Sequence, residues 1–283
     1  MPKDIRGTSE EQYWEELRQR WGALLSYRYL GRRFSSMNSN VTDETMVLRS
    51  DMRNPAGGIM PCVFGIFCPT ASGPSDLEAV PNPVISSYQV IDDGAGVRAL
   101  EVIDATPLKV GGRLYFGEAK IVDADDHSRV IALAHGQGAV IGQVPEGMTR
   151  FEDEADMGIV DSPDLPPLHQ VFGCTKGADG AWRLPELLTE HSSPDAALHI
   201  GPQQVLLDTA ATEAAQAAAG TDRLLLESWH VMFMARGKVG PFRASAVASA
   251  AADGARVGVQ VTIHDEGEPG RTVTSATGVF RIV

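Results

Sequence analysis

SPDAALHIGPQQVLLDTA, residues 193–210, places a histidine (His199), a helix start and one carboxylate (Asp208) in an otherwise apolar stretch. The same frame recurs at residues 54–71 as NPAGGIMPCVFGIFCPTA. Pro55, Thr70 and Ala71 repeat there as Pro194, Thr209 and Ala210, while the remaining chemistry differs. A diverged tandem repeat is the simplest reading. It divides the chain into an N-terminal unit over 1–142 with a leading amphipathic helix, an acidic Pro-rich linker over 143–168 and a C-terminal unit over 169–283.

Pro202 suits the first position of a helix, where its missing N–H is not needed, and Gly220 suits the residue just past the end. Between them lie roughly 18 residues, about 27 Å of helix. Ala210, Ala211, Ala214, Ala215, Ala217, Ala218 and Ala219 allow close approach on almost every side, as a helix wrapped by a curved sheet requires. Asp208, Thr212 and Gln216 fall at i, i+4 and i+8 on one polar stripe. A lone helical aspartate is usually a surface residue. Under a covering sheet, however, it is poorly solvated, its pKa rises, and it becomes a useful base.

Outward from this segment, Ser9 to Gln12 reads as a capping box. Trp14, Leu17, Trp21, Leu24 and Leu25 then form one side of a helix ending near Gly31, read as a packing face. A strand is predicted over Glu44–Met52, a turn at Asn54–Gly58 and a short apolar helix from Pro61. A Pro-rich loop near 74–83 leads to long strands over 97–110, 113–122 and 129–141. The second half repeats the order, with strands near 182–187, 224–239, 242–250, 257–265 and 272–283. Lys109-Val110-Gly111 and Lys238-Val239-Gly240 suggest matching strand ends. The first half shows about one strand fewer. In the linker, Glu152, Asp153, Glu154, Asp156, Asp161 and Asp164 lie among prolines, and the acidic run reads as a solvated surface.

With 24 basic against 37 acidic side chains and a net charge of −13, the chain's field repels phosphate backbones and anionic membrane surfaces, so nucleic-acid and membrane partners are not expected. No segment has the roughly 20 apolar residues of a membrane span, and the start Met-Pro-Lys-Asp-Ile-Arg lacks a secretion signal's apolar stretch. A cytoplasmic protein is expected. Cys62, Cys68 and Cys174 lack metal-ligand spacing and read as small buried residues; no metal and no cofactor are expected.

These residues resemble the hotdog-fold acyl-CoA thioesterases, particularly the phenylacetate-pathway type. That type carries Asn-x-x-Gly-x-x-His-Gly-Gly followed by an aspartate nine residues after the histidine. Asn54 and Gly57 match the first part, but Met60 stands at the histidine position and Pro69 at the carboxylate position. In the second copy His199, Gly201 and Asp208 match, while Ser193 and Ala196 occupy the Asn and first Gly positions. The resemblance implies an α+β double hotdog, two long curved antiparallel sheets each wrapped around a central helix. It also implies a homodimer of tandem chains, since hotdog sheets commonly continue across subunits.

In that family each site takes a helix start and Asn from one unit and its carboxylate from the other. The resemblance therefore implies one composite site, with Asn54, Gly57, Gly58 and the backbone near Cys62 facing Asp208. It implies a second, inactive site with His199 and Gly201 opposite Pro69, where the first helix should kink or stop. The expected reaction is hydrolysis of an acyl- or aryl-CoA thioester, with coenzyme A as part of the substrate. Asp208 would activate water or attack directly, Thr212 would hold the attacking group, Asn54 would orient the carbonyl or water, and helix amides would meet the oxyanion. His199 is a further catalytic candidate in its own half-site. Arg49, Arg53, Lys109, Arg113, Lys238 and Arg243 are weak candidates for the coenzyme A charges. Two rivals remain. One is a non-catalytic acyl-ligand binder, favoured by Met60 and Pro69. The other is a hotdog hydratase or dehydratase, whose His-x-x-x-Gly-x-x-x-x-Pro pattern starts at His169 and Gly173 but meets Ala178 in place of proline.

Overall fold

The computed structural model describes residues 2–32, 45–71, 73–74, 78–146 and 159–283. Ser9 caps helix α1 (Glu10–Ala23), its side chain accepting the Gln12 N–H, with Glu10 and Glu11 against the helix dipole. Extended backbone at Leu24 then breaks the helix, and α2 (Leu25–Arg28) follows. Next come strand β1 (Thr45–Val47), a 3-10 turn (Ser50–Met52) and helix α3 (Pro61–Phe67). Strands β2 (Ala79–Val90), β3 (Ala99–Gly111), β4 (Leu114–Asp123) and β5 (Asp126–Gln143) complete the first half. After α4 (Leu168–Val171) and β6 (Thr175–Lys176), the second half runs through β7 (Trp182–Leu184), a 3-10 turn (Thr189–His191) and helix α5 (Ile200–Ala219). It ends with β8 (Leu224–Phe233), β9 (Phe242–Ala250), β10 (Arg256–Asp265) and β11 (Arg271–Ile282).

The strands form one antiparallel sheet in the order β1-β3-β4-β5-β2-β8-β11-β10-β9-β7-β6. Outward from the central β2–β8 pair, both sides have the same sequence of strands. One side runs β2, β5, β4, β3, β1 and the other β8, β11, β10, β9, β7. The turns before the two helices match bond for bond. Asn54 N–H donates to Gly58 O and Ser193 N–H to Ala197 O; Met60 N–H donates to Met52 O and His199 N–H to His191 O. The isolated bridges Arg53–Ile59 and Ser192–Leu198 correspond in the same way.

The sheet centre differs from the sequence expectation. Residues 79–83, read as loop because of Pro81 and Pro83, begin β2, the strand that joins the halves through Ile85–Met232 to Gln89–Ser228. Proline lacks a ladder donor, and the β2–β5 ladder accommodates it with register shifts at Val80/Pro81 and Pro83/Ile85. The Glu44–Met52 strand is short: Glu44 lies outside the described residues, and the strand ends at Val47. Lys238-Val239-Gly240 is no strand end either. It lies between β8 and β9, where the Asp265 carboxylate accepts the N–H groups of all three residues.

The two apolar helices both lie in the main hydrophobic core. All seven residues of α3 are buried. Helix α5 packs on β9, β10, β11 and β7 and crosses α3. Close approach at that crossing requires Gly65, since a Cβ there would lie 2.2 Å from the Gln204 side chain. Leu206 and Leu207 are wholly buried on α5, and truncating either to Ala costs roughly 2–5 kcal/mol. The leading segment reaches the second half as well as the end of β5: Ile5 N–H donates to Pro194 O, buried Arg20 donates to Ser193 O at 2.6 Å, and Arg6 donates to Ile141 O at 3.1 Å. Leu17 and Tyr13 are buried there, with Trp14 and Trp21 packed alongside. The three cysteines are free and buried. No helix among the described residues is long and apolar enough to cross a membrane.

Candidate active site

Asp208 sits on the buried face of α5, 1% exposed, where the N-terminal end of α3 meets it. Pro61 opens α3 without an N–H, so Cys62 supplies its first donor, and that N–H donates to Asp208 Oδ2 at 3.1 Å. One turn along α5, Thr212 Oγ1 donates to Asp208 Oδ1 at 2.8 Å. No cation pairs with this carboxylate among the described residues. Burial therefore pushes its pKa up, and the Cys62 and Thr212 hydrogen bonds offset only part of that rise. The Cys62 thiol is pushed well up as well, by burial and then by the charge of Asp208, so it is no thiolate nucleophile.

A cavity of about 500 Å³ opens beside Asp208. Thr212 and Gln216, the rest of the polar stripe, line it, as do Asn54 and Met60 from the first half. The structure thus brings together Asn54, Asp208 and Thr212 from opposite halves. Asn54 also builds its own turn: Oδ1 accepts the N–H groups of Ala56 (3.0 Å) and Gly58 (3.1 Å), and Nδ2 donates to Leu224 O at 2.8 Å, across the halves. The other Nδ2 hydrogen has no partner among the described residues. Gly57 turns the chain at φ +90° and its N–H donates to Asn54 O. Gly57, Gly58 and Cys62 therefore shape and hold the site without lining the cavity, and the Cys62 amide meets Asp208 rather than an open oxyanion cradle.

The far wall comes from residues with no such expectation. Pro163, Leu165, Pro167 and Leu168 of the linker close one side. Asp161 ties that segment down by accepting the Ser50 N–H at 2.8 Å, and the side chains of Asp161 and Asp164 themselves are exposed, as expected of an acidic surface. The acidic residues Glu152, Asp153, Glu154 and Asp156 lie outside the described residues. His169 also lines the cavity, edge-on to Trp182, with its pKa lowered by burial. Trp182 donates to Glu213 at 2.6 Å. Only an apolar linker end beside an acidic run hinted at this in the sequence.

His199 is in a different place. It caps α5, 8% exposed, with Nδ1 accepting the Gly201 N–H at 3.3 Å. It lines a second cavity of about 570 Å³, with Pro69 on the same wall. Helix α3 ends at Phe67, two residues before that proline. Burial, then the charges of Arg32 and Arg236, hold the His199 pKa down at about 3, so the ring is neutral. Asp195 lies nearby, 2% exposed, bound by Arg236 at 2.6 Å and approached by Lys238 at 3.4 Å. Burial pushes its pKa up, but the Arg236 hydrogen bond and charge, Ser193 and Lys238 outweigh it, and its carboxyl is held well below the usual range.

Most of the cations with a possible role in binding phosphate are committed elsewhere. Arg49 pairs with Asp51 at 3.0 Å in a buried bridge and lies over the Tyr29 ring. Arg53 lines the Asp208 cavity, but its guanidinium donates to the carbonyls of Gly57, Gly94 and Val97. Lys238 is held by Asp195, and Arg243 approaches Asp179 and Glu266. Lys109 and Arg113 are exposed around the β3–β4 turn and line neither cavity. No cluster of metal-ligating side chains occurs among the described residues.

No family model matches the chain, and no curated protein matches its sequence. Solved structures do match in shape. A TesB protein from Mycobacterium avium subspecies paratuberculosis superposes with a TM-score of 0.59 at 14% identity, over 93% of this chain and 99% of its own. A hot dog fold protein of unknown function from Alicyclobacillus acidocaldarius gives 0.58 at 11% identity, over 91% and 97%. The fold is a hotdog fold. The acyl-CoA thioesterase II TesB2 from Mycobacterium marinum matches at 0.50 with 15% identity, over 78% of this chain and 86% of its own. At such identities the likeness establishes the hotdog architecture, and the chemistry has to be argued from the cavity.

Proposed function

We propose that this chain is a double hotdog thioesterase that hydrolyses an acyl- or aryl-coenzyme A thioester in the Asp208 cavity. The observation that carries this reading is a buried carboxylate with no cation partner among the described residues, held by the Cys62 amide and thiol and the Thr212 hydroxyl at the edge of a cavity of about 500 Å³. A carboxylate that only stabilises a fold is normally paired. One left unpaired with a raised pKa is poised to take a proton.

Asp208 accepts a proton from a water as its oxygen bonds to the thioester carbonyl carbon. The carbon–sulfur bond then breaks, and the departing thiolate takes that proton. Thr212 and the Cys62 amide hold the carboxylate in place. The remaining Nδ2 hydrogen of Asn54 meets the carbonyl oxygen as it becomes negative, and Gln216 supplies a second amide on the same wall. Asp51, Glu213 and Asp222 also line the cavity, so the acyl portion enters while the phosphates of coenzyme A stay outside, near Arg223. Arg223 donates to Pro55 O beside the turn.

The double unit is supported by the matched turns and the mirrored strand order, and the same reading takes residues 1–142 and 169–283 as the two units, joined by 143–168. A homodimer of such chains and a cytoplasmic location belong to this proposal. The thiol-trapping assay over a panel of acyl- and aryl-CoA thioesters tests it. Release of free thiol is expected for at least one member, whereas binding without release across the panel would favour an acyl-ligand binder.

A further inference from the structure

In the second cavity Pro69 stands at the position that Asp208 holds in the repeated frame, so that position supplies no base. At about 570 Å³ the cavity is nevertheless no smaller than the first, and its volume suits a small organic ligand. The His199 ring is more than nine-tenths buried and neutral, and Nδ1 accepts the Gly201 N–H, so the ring proton sits on Nε2. Nε2–H has no hydrogen-bond partner among the described residues, and it is not one of the side-chain atoms sealed away from open space, so it faces the cavity that His199 lines. Trp21, Tyr27 and Phe67 give the cavity aromatic walls, with Trp21 and Tyr27 edge-on to His199 at 5.8 and 6.0 Å between ring centroids.

The charges on the walls cancel. Two guanidiniums, Arg32 and Arg236, and two carboxylates, Glu101 and Asp195, line the cavity. Arg236 is committed to Asp195, Ser193 and Asn82, and Glu101 lies 2.9 Å from His127. An ion entering from water loses its hydration and gains no net countercharge, whereas a neutral polar group loses less and needs only one partner. A carbonyl oxygen is such a group, and the Nε2–H of His199 is the donor that answers it.

We propose that this cavity is a non-hydrolytic binding site for a neutral carbonyl compound with an aromatic or medium-length apolar body. The carbonyl oxygen accepts the Nε2–H of His199. The body lies against Trp21, Tyr27 and Phe67. This assignment stands apart from catalysis at Asp208, and its failure would leave the hydrolase reading untouched.

Calorimetric titration of the full chain at pH 7 tests it. The probes are phenylacetone and methyl heptyl ketone, each set against the acid of the same skeleton, phenylacetate or octanoate, which is ionised at that pH. At least one ketone is expected to bind, and its acid should bind at least tenfold more weakly. His199→Ala should weaken ketone binding roughly fivefold, as loss of one neutral hydrogen bond does, and His199→Gln should recover part of it. Ala105→Trp, at an exposed β3 position on the cavity wall, should abolish binding by filling the space. The proposal is overturned if neither ketone binds at millimolar concentration, if an acid binds as tightly as its ketone, or if Ala105→Trp binds the ketone as well as the parent chain does.

Discussion

Asp208 and Asp195 are both buried aspartates, one beside each cavity, and their surroundings push them in opposite directions. Asp195 lies within reach of two cations and Ser193, which hold it ionised. Asp208 has the Cys62 amide and thiol, the Thr212 hydroxyl and no cation among the described residues, and burial raises its pKa. A paired carboxylate contributes to the fold. An unpaired one opposes folding once ionised and is available for chemistry. The comparison separates an acid held by cations from the one proposed as the base, without reference to any relative.

Breaking the structural member should have the largest effect on stability. Asp195→Asn leaves Arg236 without its charge partner and is expected to lower unfolding stability by roughly 3 kcal/mol in a denaturant titration at pH 7. The sign follows from the depressed pKa. The stabilisation is fully present above the ordinary carboxylate range and is lost as pH falls through the lower folded value, so the difference between parent and variant should shrink in acid.

At the other cavity, Asn54→Ala removes two turn bonds and the cross-half bond to Leu224. It should cost about 1.5 kcal/mol by the same titration and also reduce kcat. Thr212→Val removes the donor to Asp208 Oδ1. It should lower kcat about tenfold and move the acidic limb of the kcat/KM profile to higher pH, because burial of the carboxylate is then less well offset.

The smallest stability effect should have the opposite sign. Because the folded pKa of Asp208 is raised, its contribution to stability is greatest below the ordinary carboxylate range and is lost as pH rises through the folded value. Asp208→Asn should therefore raise stability by about 1 kcal/mol at neutral pH, read as a higher Tm. A variant that gains stability while losing activity marks a functional group.

How much of this was legible in the sequence follows the same division. Helix α5 announced itself through Pro202, Gly220 and a run of alanines, because helix ends and close packing depend on local residue types. The meeting of Asn54 and Asp208 at one cavity was legible too, from the like frames at 54–71 and 193–210. Strand β2 was not, since Pro81 and Pro83 argue locally against a strand and only its neighbours β5 and β8 hold it in the sheet. The cavity wall from Pro163 to Leu168 and the seating of α1 on the second half were equally hidden, because both depend on contacts distant in sequence. The role of the Cys62 amide turned on a contact of 3.1 Å that no spacing rule supplies.

The most direct test of the central claim is kcat for thiol release from the best thioester in the panel, compared between the parent chain and Asp208→Asn. The expected result is a fall of about 100-fold or more with the Tm equal to or above that of the parent. A kcat within fivefold of the parent would contradict the assignment of Asp208 as the base.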